Sequence, residues 1–255
     1  MSDSADAVRR ALAYPYDAPG SCYLHSGESG IRPLGAADLA AATRGRIPIL
    51  ASGSNRAPER IAAKFPTLGP ADAIPVTRCR LHGFDTVYSA HIARYGAIAA
   101  TLQVSPGTVA ELAVTWLSEA QLPAMHASEA CGVNYDFALI EGLRVELANG
   151  TVLTEAHAYI GRRGCLALDG AAIALAEIPA QGRRFPALDQ RAIQTLARDR
   201  LAPGLALDSF IEENIRTAET RLARTEALAK DAVPFAWPAA KAGGSIQRGT
   251  ISTTV

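Results

Sequence analysis

The chain has no run of about 18 apolar residues, the least that a membrane-spanning helix needs. It also has no excess of charge, because 25 Lys and Arg balance 25 Asp and Glu for a formal net charge of zero. The first absence removes a spanning helix from the expectations. The second removes the basic surface that nucleic acid or an anionic membrane selects, so neither is expected as a partner. Cysteine is scarce: Cys22, Cys79, Cys131 and Cys165 stand far apart with no CxxC or finger spacing. That pattern predicts reduced thiols in a cytoplasmic protein and no structural zinc. The N-terminal MSDSADAVRR is acidic before it is basic and has no apolar centre, so it does not read as a secretory signal. Internal repeats are also lacking. What is present is ordinary globular composition, 49% hydrophobic and 20% charged over 255 residues, enough chain to bury a substantial core.

The most informative stretch is Arg46–Pro58, RIPILASGSNRAP. Ile47–Ala51 reads as a buried strand. It passes through Ser52-Gly53-Ser54-Asn55 into a segment whose early Pro58 and apolar Ile61 and Phe65 predict a helix. A strand turning through small polar residues into a helix gathers backbone N–H groups at one point, which suits an anion or a carbonyl oxygen. Gly53 permits positive φ and close approach of a ligand, while Ser54 and Asn55 add side-chain donors and acceptors. The same residues also fit an ordinary turn, or a cap for the helix near Pro58.

Residues 1–45 read as an irregular arm that packs on the rest, broken at Tyr14-Pro15-Tyr16 and Pro19-Gly20, with one short helix near Leu34–Ala42. A core over 46–164 follows. Ala73–Leu81 and Phe84–Ala93 read as strands separated by a His82-Gly83 turn. Ala97–Leu102 and Ala110–Leu117 read as two more, joined by a Ser105-Pro106-Gly107 turn. From Ser118 to about Ala130 a helix is expected, with Ser118 and Gln121 spaced as a capping box and Pro123 kinking it or delaying its start. Leu122, Met125 and Glu129 share one face of that helix. Tyr135–Ala148 and Thr151–Ile160 flank Asn149-Gly150, a strong hairpin signal. A Pro/Gly/Arg linker near Ile178–Pro186 leads to helices at Leu188–Arg200 and Asp208–Ala229, an extension over 165–240. The Gly/Ser/Thr-rich 241–255 reads as a loose tail.

This order resembles the gamma-glutamylcyclotransferase-like family, which carries a YGSN loop after its first strand, an ATI-like stretch, a Pro-Gly turn and a Leu-Asp-x-x-Glu-Gly helix end followed by a tyrosine. Here Ser52-Gly53-Ser54-Asn55, Ala100-Thr101-Leu102, Pro106-Gly107, Met125–Ala130 and Tyr135 stand in that order, over about residues 47–161. The departures are Ser52 for the loop tyrosine, His126 for the aspartate and Ala130 for the glycine. The resemblance implies an α+β fold, a small mixed, mostly antiparallel β-barrel with flanking helices. It also implies Glu129 as the general acid/base, with Ser52, Gly53, Ser54, Asn55 and Tyr135 binding substrate. The reaction implied is attack of a substrate's amine on its own gamma-glutamyl amide, releasing an amine and 5-oxoproline. Because the nucleophile belongs to the small-molecule substrate, no catalytic serine, cysteine, metal or cofactor is required. A carboxylate serves best here when burial raises its pKa towards neutrality.

Other readings stand beside this one. Glu129 also reads as a solvated helix-end carboxylate, and Tyr135 as a strand aromatic packed on the core. His126 and Glu129 at i, i+3 suit two metal ligands, but His82, His91 and His157 offer no evident third. Cys131 lacks a paired histidine. The Ser52 departure fits hydrolysis or decarboxylation of a small amide or ureido compound on the same fold. The apolar stripe Phe210, Ile211, Ile215, Ala218 and Leu222 fits a non-catalytic module that assembles through its C-terminal helices as a homo-oligomer.

Overall fold

In the computed structural model, which describes residues 2–27, 30–238 and 240–242, the chain begins with helix α1 (Ser2–Leu12), a small hairpin of β1 (Tyr23–His25) and β2 (Ile31–Pro33), and helix α2 (Leu39–Thr43). Helix α1 corrects the expectation of a wholly irregular arm. Its sequence, SDSADAVRRAL, is polar on most sides and buries Val8 and Ala11, a stripe too narrow to stand out in the sequence. Tyr14, Tyr16, Cys22 and Tyr23 are all buried.

Strand β3 (Ile47–Ala51) and helix α3 (Pro58–Lys64) form as the sequence predicts. They are followed by β4 (Ile74–Ile92), β5 (Ile98–Leu117), helix α4 (Leu122–Ser128), β6 (Tyr135–Leu147) and β7 (Val152–Gly161). Five of these strands close on themselves: β3 pairs with β5, β5 with β4, β4 with β6, β6 with β7 and β7 with β3. All these pairings are antiparallel except β3 with β7. The fold is therefore α+β, built on a small mixed and mostly antiparallel barrel. Period-two alternation divides the strand side chains between two cores. Leu50, Leu112 and Val114 belong to the larger apolar cluster, while Ile49, Ala51 and Ala113 pack with Ile61, Leu122 and Met125 in a second. Each fully buried side chain of this kind contributes about 1.5–3 kcal/mol, so α3 and α4 are held against the barrel by the alternate residues of the strands that shape its interior.

Two expected turns do not reverse the chain. At His82-Gly83 and at Ser105-Pro106-Gly107 the backbone bulges within two long strands of 19 and 20 residues. The pairing skips from His82↔Val109 to Phe84↔Val104, and Gly83 and Gly107 take φ of 80° and 86°, which glycine tolerates without strain. Beyond this bulge the two strands continue to Ile92 and Ile98 and become one wall of the cavity described below. The Asn149-Gly150 hairpin forms between β6 and β7 with Gly150 at φ 86°.

The C-terminal part is stitched to that wall. Short strands β8 (Ala167–Leu168) and β9 (Ala171–Ala172) pair together. Strand β10 (Ala174–Leu175) joins β4, β11 (Ala180–Gln181) joins β5, and β12 (Ala187–Leu188) joins β10. Arg183 makes a bidentate pair with fully buried Asp85, through Nε at 2.9 Å and an Nη at 3.1 Å. Helices α5 (Gln190–Leu201), α6 (Leu207–Arg216) and α7 (Ala218–Ala229) follow, so the single helix expected over Asp208–Ala229 is two, divided at Thr217. Its apolar stripe is divided: Phe210 and Ile211 are fully buried, Ile215 is half-buried, and Ala218 and Leu222 are exposed, Leu222 at 51%. Strand β13 (Ala240–Ala242) pairs with β6. The remainder of the expected tail, 243–255, lies outside the described residues. No helix among the described residues is long and apolar enough to cross a membrane.

Candidate functional site

The loop after β3 is set by three fixed points. The Asn55 carbonyl accepts from Thr115 Oγ1 of β5 at 2.9 Å, the Arg56 carbonyl accepts from Tyr23 Oη at 2.8 Å, and Ala57 begins α3 without a side-chain cap. Neither Ser54 nor Asn55 serves as the cap. Gly53 has φ −136°, so positive φ is not the reason for glycine here. The reason is close approach: a Cβ would lie 2.1 Å from the Tyr14 hydroxyl. The group that comes close is thus a phenol from the N-terminal arm.

Tyr14 is a site residue that the sequence does not announce. Its Oη accepts from Ala100 N at 2.8 Å, and no acceptor for its own hydrogen exists among the described residues. Burial pushes the phenol above its ordinary pKa, the Ala100 and Ser54 backbone act in the other direction, and the Glu129 charge adds to the rise. Tyr14 is therefore a neutral donor on the wall of a cavity of about 670 Å³ that Ser52, Gly53, Ser54, Asn55, Glu129 and Tyr135 also line. The residues that the resemblance implies for catalysis and substrate binding thus line one cavity, whereas His126 and Cys131 are not in its lining.

Glu129 follows the last turn of α4 and is its C-cap, with Glu129 N donating to Met125 O at 3.0 Å. The helix starts late, after a tight turn in which Gln121 Oε1 accepts from Ser118 N at 2.9 Å. The Glu129 side chain is 14% exposed. Its Oε1 accepts from Asn55 Nδ2 at 3.1 Å and pairs with Lys64 Nζ, which also donates to Asn55 Oδ1. Lys64, Asn55 and Glu129 thus close a triangle of charge-assisted hydrogen bonds. Both donors act on Oε1, and Oε2 has no protein partner among the described residues.

This arrangement corrects the expected electrostatics of Glu129. Burial is the largest influence and raises its pKa, but the Lys64 charge, the hydrogen bonds of Lys64 and Asn55 and the His91 charge together outweigh it, so the carboxyl lies below its ordinary value. The deciding group is Lys64, whose side chain is 5% exposed. A lysine in the last turn of a helix reads as a solvated cation that complements the dipole, and nothing local marks it as buried.

Tyr135 donates through Oη to Ala100 O at 2.9 Å and presents its ring to His91, 5.2 Å between centroids. Its hydroxyl is committed to the backbone, so it offers the cavity a ring. His91 is buried, its Nδ1 lies 2.9 Å from Ser89 Oγ, and burial first, then the Arg163 charge, lower its pKa to about 4. His126 is not in the cavity lining and shares a 2.8 Å hydrogen bond with Tyr159 Oη. Among the described residues no group of three His, Cys, Asp or Glu side chains is placed to hold a metal ion.

No family model matches the chain, and no curated protein matches it. Solved structures do. One described as a gamma-glutamyl cyclotransferase is 16% identical with a TM-score of 0.37, covering 68% of this chain and 87% of that one. An uncharacterized protein from Homo sapiens is 16% identical with a TM-score of 0.38, covering 68% and 88%. A protein from Arabidopsis thaliana is 17% identical with a TM-score of 0.34, covering 46% and 62%. The family named from the motifs is among these matches. At such identities and TM-scores neither the reaction nor the substrate of those proteins transfers to this chain.

Proposed function

We propose that the cavity is an active site for cleaving a small amide by intramolecular attack, the cyclotransferase reaction, in which a gamma-glutamyl compound yields 5-oxoproline and a free amine. The observation that carries this reading is the Glu129 carboxylate, held through Oε1 by Lys64 and Asn55 with Oε2 left for a ligand, in the same cavity as the Ser52–Asn55 loop. An ionised carboxylate in that position suits the ammonium group of an incoming substrate. The ammonium first gives one proton to solvent, and Glu129 Oε2 takes a second from the resulting amine as it attacks the amide carbonyl carbon. A new N–C bond closes the five-membered ring, and the carbonyl oxygen becomes an oxyanion. The Tyr14 hydroxyl and the loop N–H groups are the donors for that charge, and one well-placed donor of this kind contributes about 3–4 kcal/mol. The same proton passes from Glu129 to the leaving nitrogen as the old C–N bond breaks, so Glu129 ends as it began. Lys64 keeps the carboxylate ionised in the empty site, and a weaker base that is fully in its active form satisfies the same requirement as a stronger one that is partly protonated.

Ser52 and Ser54 make no side-chain hydrogen bond among the described residues, which leaves both hydroxyls for substrate. Tyr14 also accounts for the Ser52 departure, since a phenol reaching in from the arm can supply the donor that serine is too short to provide. A panel of gamma-glutamyl dipeptides and N-carbamoyl amino acids, assayed for 5-oxoproline and for released amine or ammonia, tests the reading. Turnover of gamma-glutamyl compounds with 5-oxoproline as product supports it. Turnover confined to the carbamoyl compounds replaces it with ureido hydrolysis.

A further inference from the structure

The chain has a formal net charge of zero, yet the cavity wall is strongly cationic. Arg60, Lys64, Arg94 and Arg221 line it against the single carboxylate of Glu129, and Lys64 already pairs with that carboxylate. The three arginines come from three separate elements: α3, the turn between β4 and β5, and α7. None of them makes an ion pair among the described residues. Arg60 has its guanidinium carbon 5.4 Å from the Tyr16 ring centre and 5.3 Å from that of Tyr95, and its buried Nε has no hydrogen-bond partner. The Arg94 side chain makes no hydrogen bond with the described residues. Arg221 gives one Nη to Asn214 O at 2.7 Å. A second cavity of about 580 Å³ shares Arg60, Arg94 and Tyr95 and adds Arg10, together with Asp6, which pairs with Arg9 at 2.7 Å.

Arg60 and Arg221 are half-buried and Arg94 is exposed; like charges on one cavity wall repel, and a bound anion offsets that repulsion. Stacking on two rings fixes the Arg60 guanidinium plane and leaves its edge free for a bidentate oxygen ligand. The cavity's volume of about 670 Å³ is in the range that holds drug-sized ligands, well beyond a five-membered lactam. On the reading of the cavity as an amide-cleaving site, the space beyond the reacting amide is filled by the part of the substrate that leaves.

We propose that Arg60, Arg94 and Arg221 form a subsite for an anionic group, a carboxylate or a phosphate, carried by the leaving amine. The proposal rests on the cyclotransferase reading for what is bound, but its test needs no turnover. Glutarylglycine, glutarylglycinamide and the glutaryl amide of phosphoethanolamine lack the attacking amine and so cannot cyclise. Their binding is measured by calorimetry on the wild-type protein and on the Arg94→Gln and Arg60→Gln variants, with circular dichroism to confirm folding. An analogue with a carboxylate or phosphate at the leaving-group end is expected to bind about tenfold more tightly than the carboxamide, as one charge-assisted hydrogen bond supplies, and the ratio is expected to fall towards one in Arg94→Gln, whose side chain has no protein partner to lose. The relative affinities of the carboxylate and phosphate analogues identify which anion the subsite takes. Equal affinity for the analogues with and without an anion at the leaving-group end in the wild type, no binding of any analogue, or an unchanged ratio in both variants overturns the subsite. Anion-dependent binding without 5-oxoproline from gamma-glutamylglycine keeps the subsite and removes the cyclisation reading.

Discussion

Replacing Lys64 with methionine tests whether this lysine, rather than burial, sets the state of Glu129. The two side chains are 5% and 14% exposed, so the pair is screened little by solvent, and removing one partner of such a pair typically costs about 3–5 kcal/mol. Here the cost has a ceiling, because Glu129 can take up a proton instead of remaining charged. From its ordinary value of 4.5, protonation at pH 7 costs about 3.4 kcal/mol and at pH 5 about 0.7 kcal/mol. In the variant burial acts on Glu129 without its counterion, so its folded pKa lies above its unfolded one. The resulting stability is fully present below the unfolded pKa and is lost as pH rises through the folded pKa. Lys64→Met is therefore expected to be destabilised by up to about 3 kcal/mol at pH 7 and to approach the wild type at pH 5. Urea unfolding at the two pH values measures this. The acidic limb of the pH–rate profile should move to higher pH in the same variant. A destabilisation equal at both pH values, together with an unmoved limb, refutes the control of Glu129 by Lys64.

Tyr14→Phe leaves the Ala100 N–H without its acceptor and removes the donor beside Gly53. The expected outcome is a loss of about 1–3 kcal/mol in stability and a fall on the order of 10² in kcat, whereas unchanged kcat would confine Tyr14 to a structural role. Arg183→Ala strands the carboxylate of Asp85, which is fully buried, and should cost about 3–5 kcal/mol in denaturant unfolding; a cost below about 1 kcal/mol would show that Asp85 is not dependent on this pair. His91, with its pKa lowered from 6.5 to about 4 by burial, binds its proton less readily folded than unfolded. Its contribution, on the order of 3 kcal/mol, is present above pH 6.5 and is lost as pH falls towards 4. His91→Phe should flatten stability across that window, and an unchanged slope would contradict the assignment.

Much of the site was legible because its parts are local. The Ile47–Ala51 strand, its small polar loop and the Pro58 helix start are carried by adjacent residues. The helix-face position of Glu129 follows from its spacing with Leu122 and Met125, and Asn149-Gly150 marks its hairpin unaided. The illegible parts depend on distant partners. Tyr14 reaches Ala100 across 86 positions, and Lys64 reaches Glu129 across 65. The Ser105-Pro106-Gly107 stretch carries turn chemistry, but Thr108 Oγ1 donates to Gly182 O at 3.1 Å and β11 pairs beside it. That later segment turns what reads as a chain reversal into a bulge. Thr217 divides the last two helices, yet no Gly or Pro announces the break.

Whether Glu129 and the Ser52–Asn55 loop form one amide-cleaving site is decided most directly by kcat/KM for 5-oxoproline formation from gamma-glutamylglycine, measured for the wild type and for Glu129→Gln. Product is expected from the wild type, with a loss of at least about 10² in the variant. Equal rates in the two proteins, or no 5-oxoproline from the wild type with any gamma-glutamyl amide, would contradict that assignment.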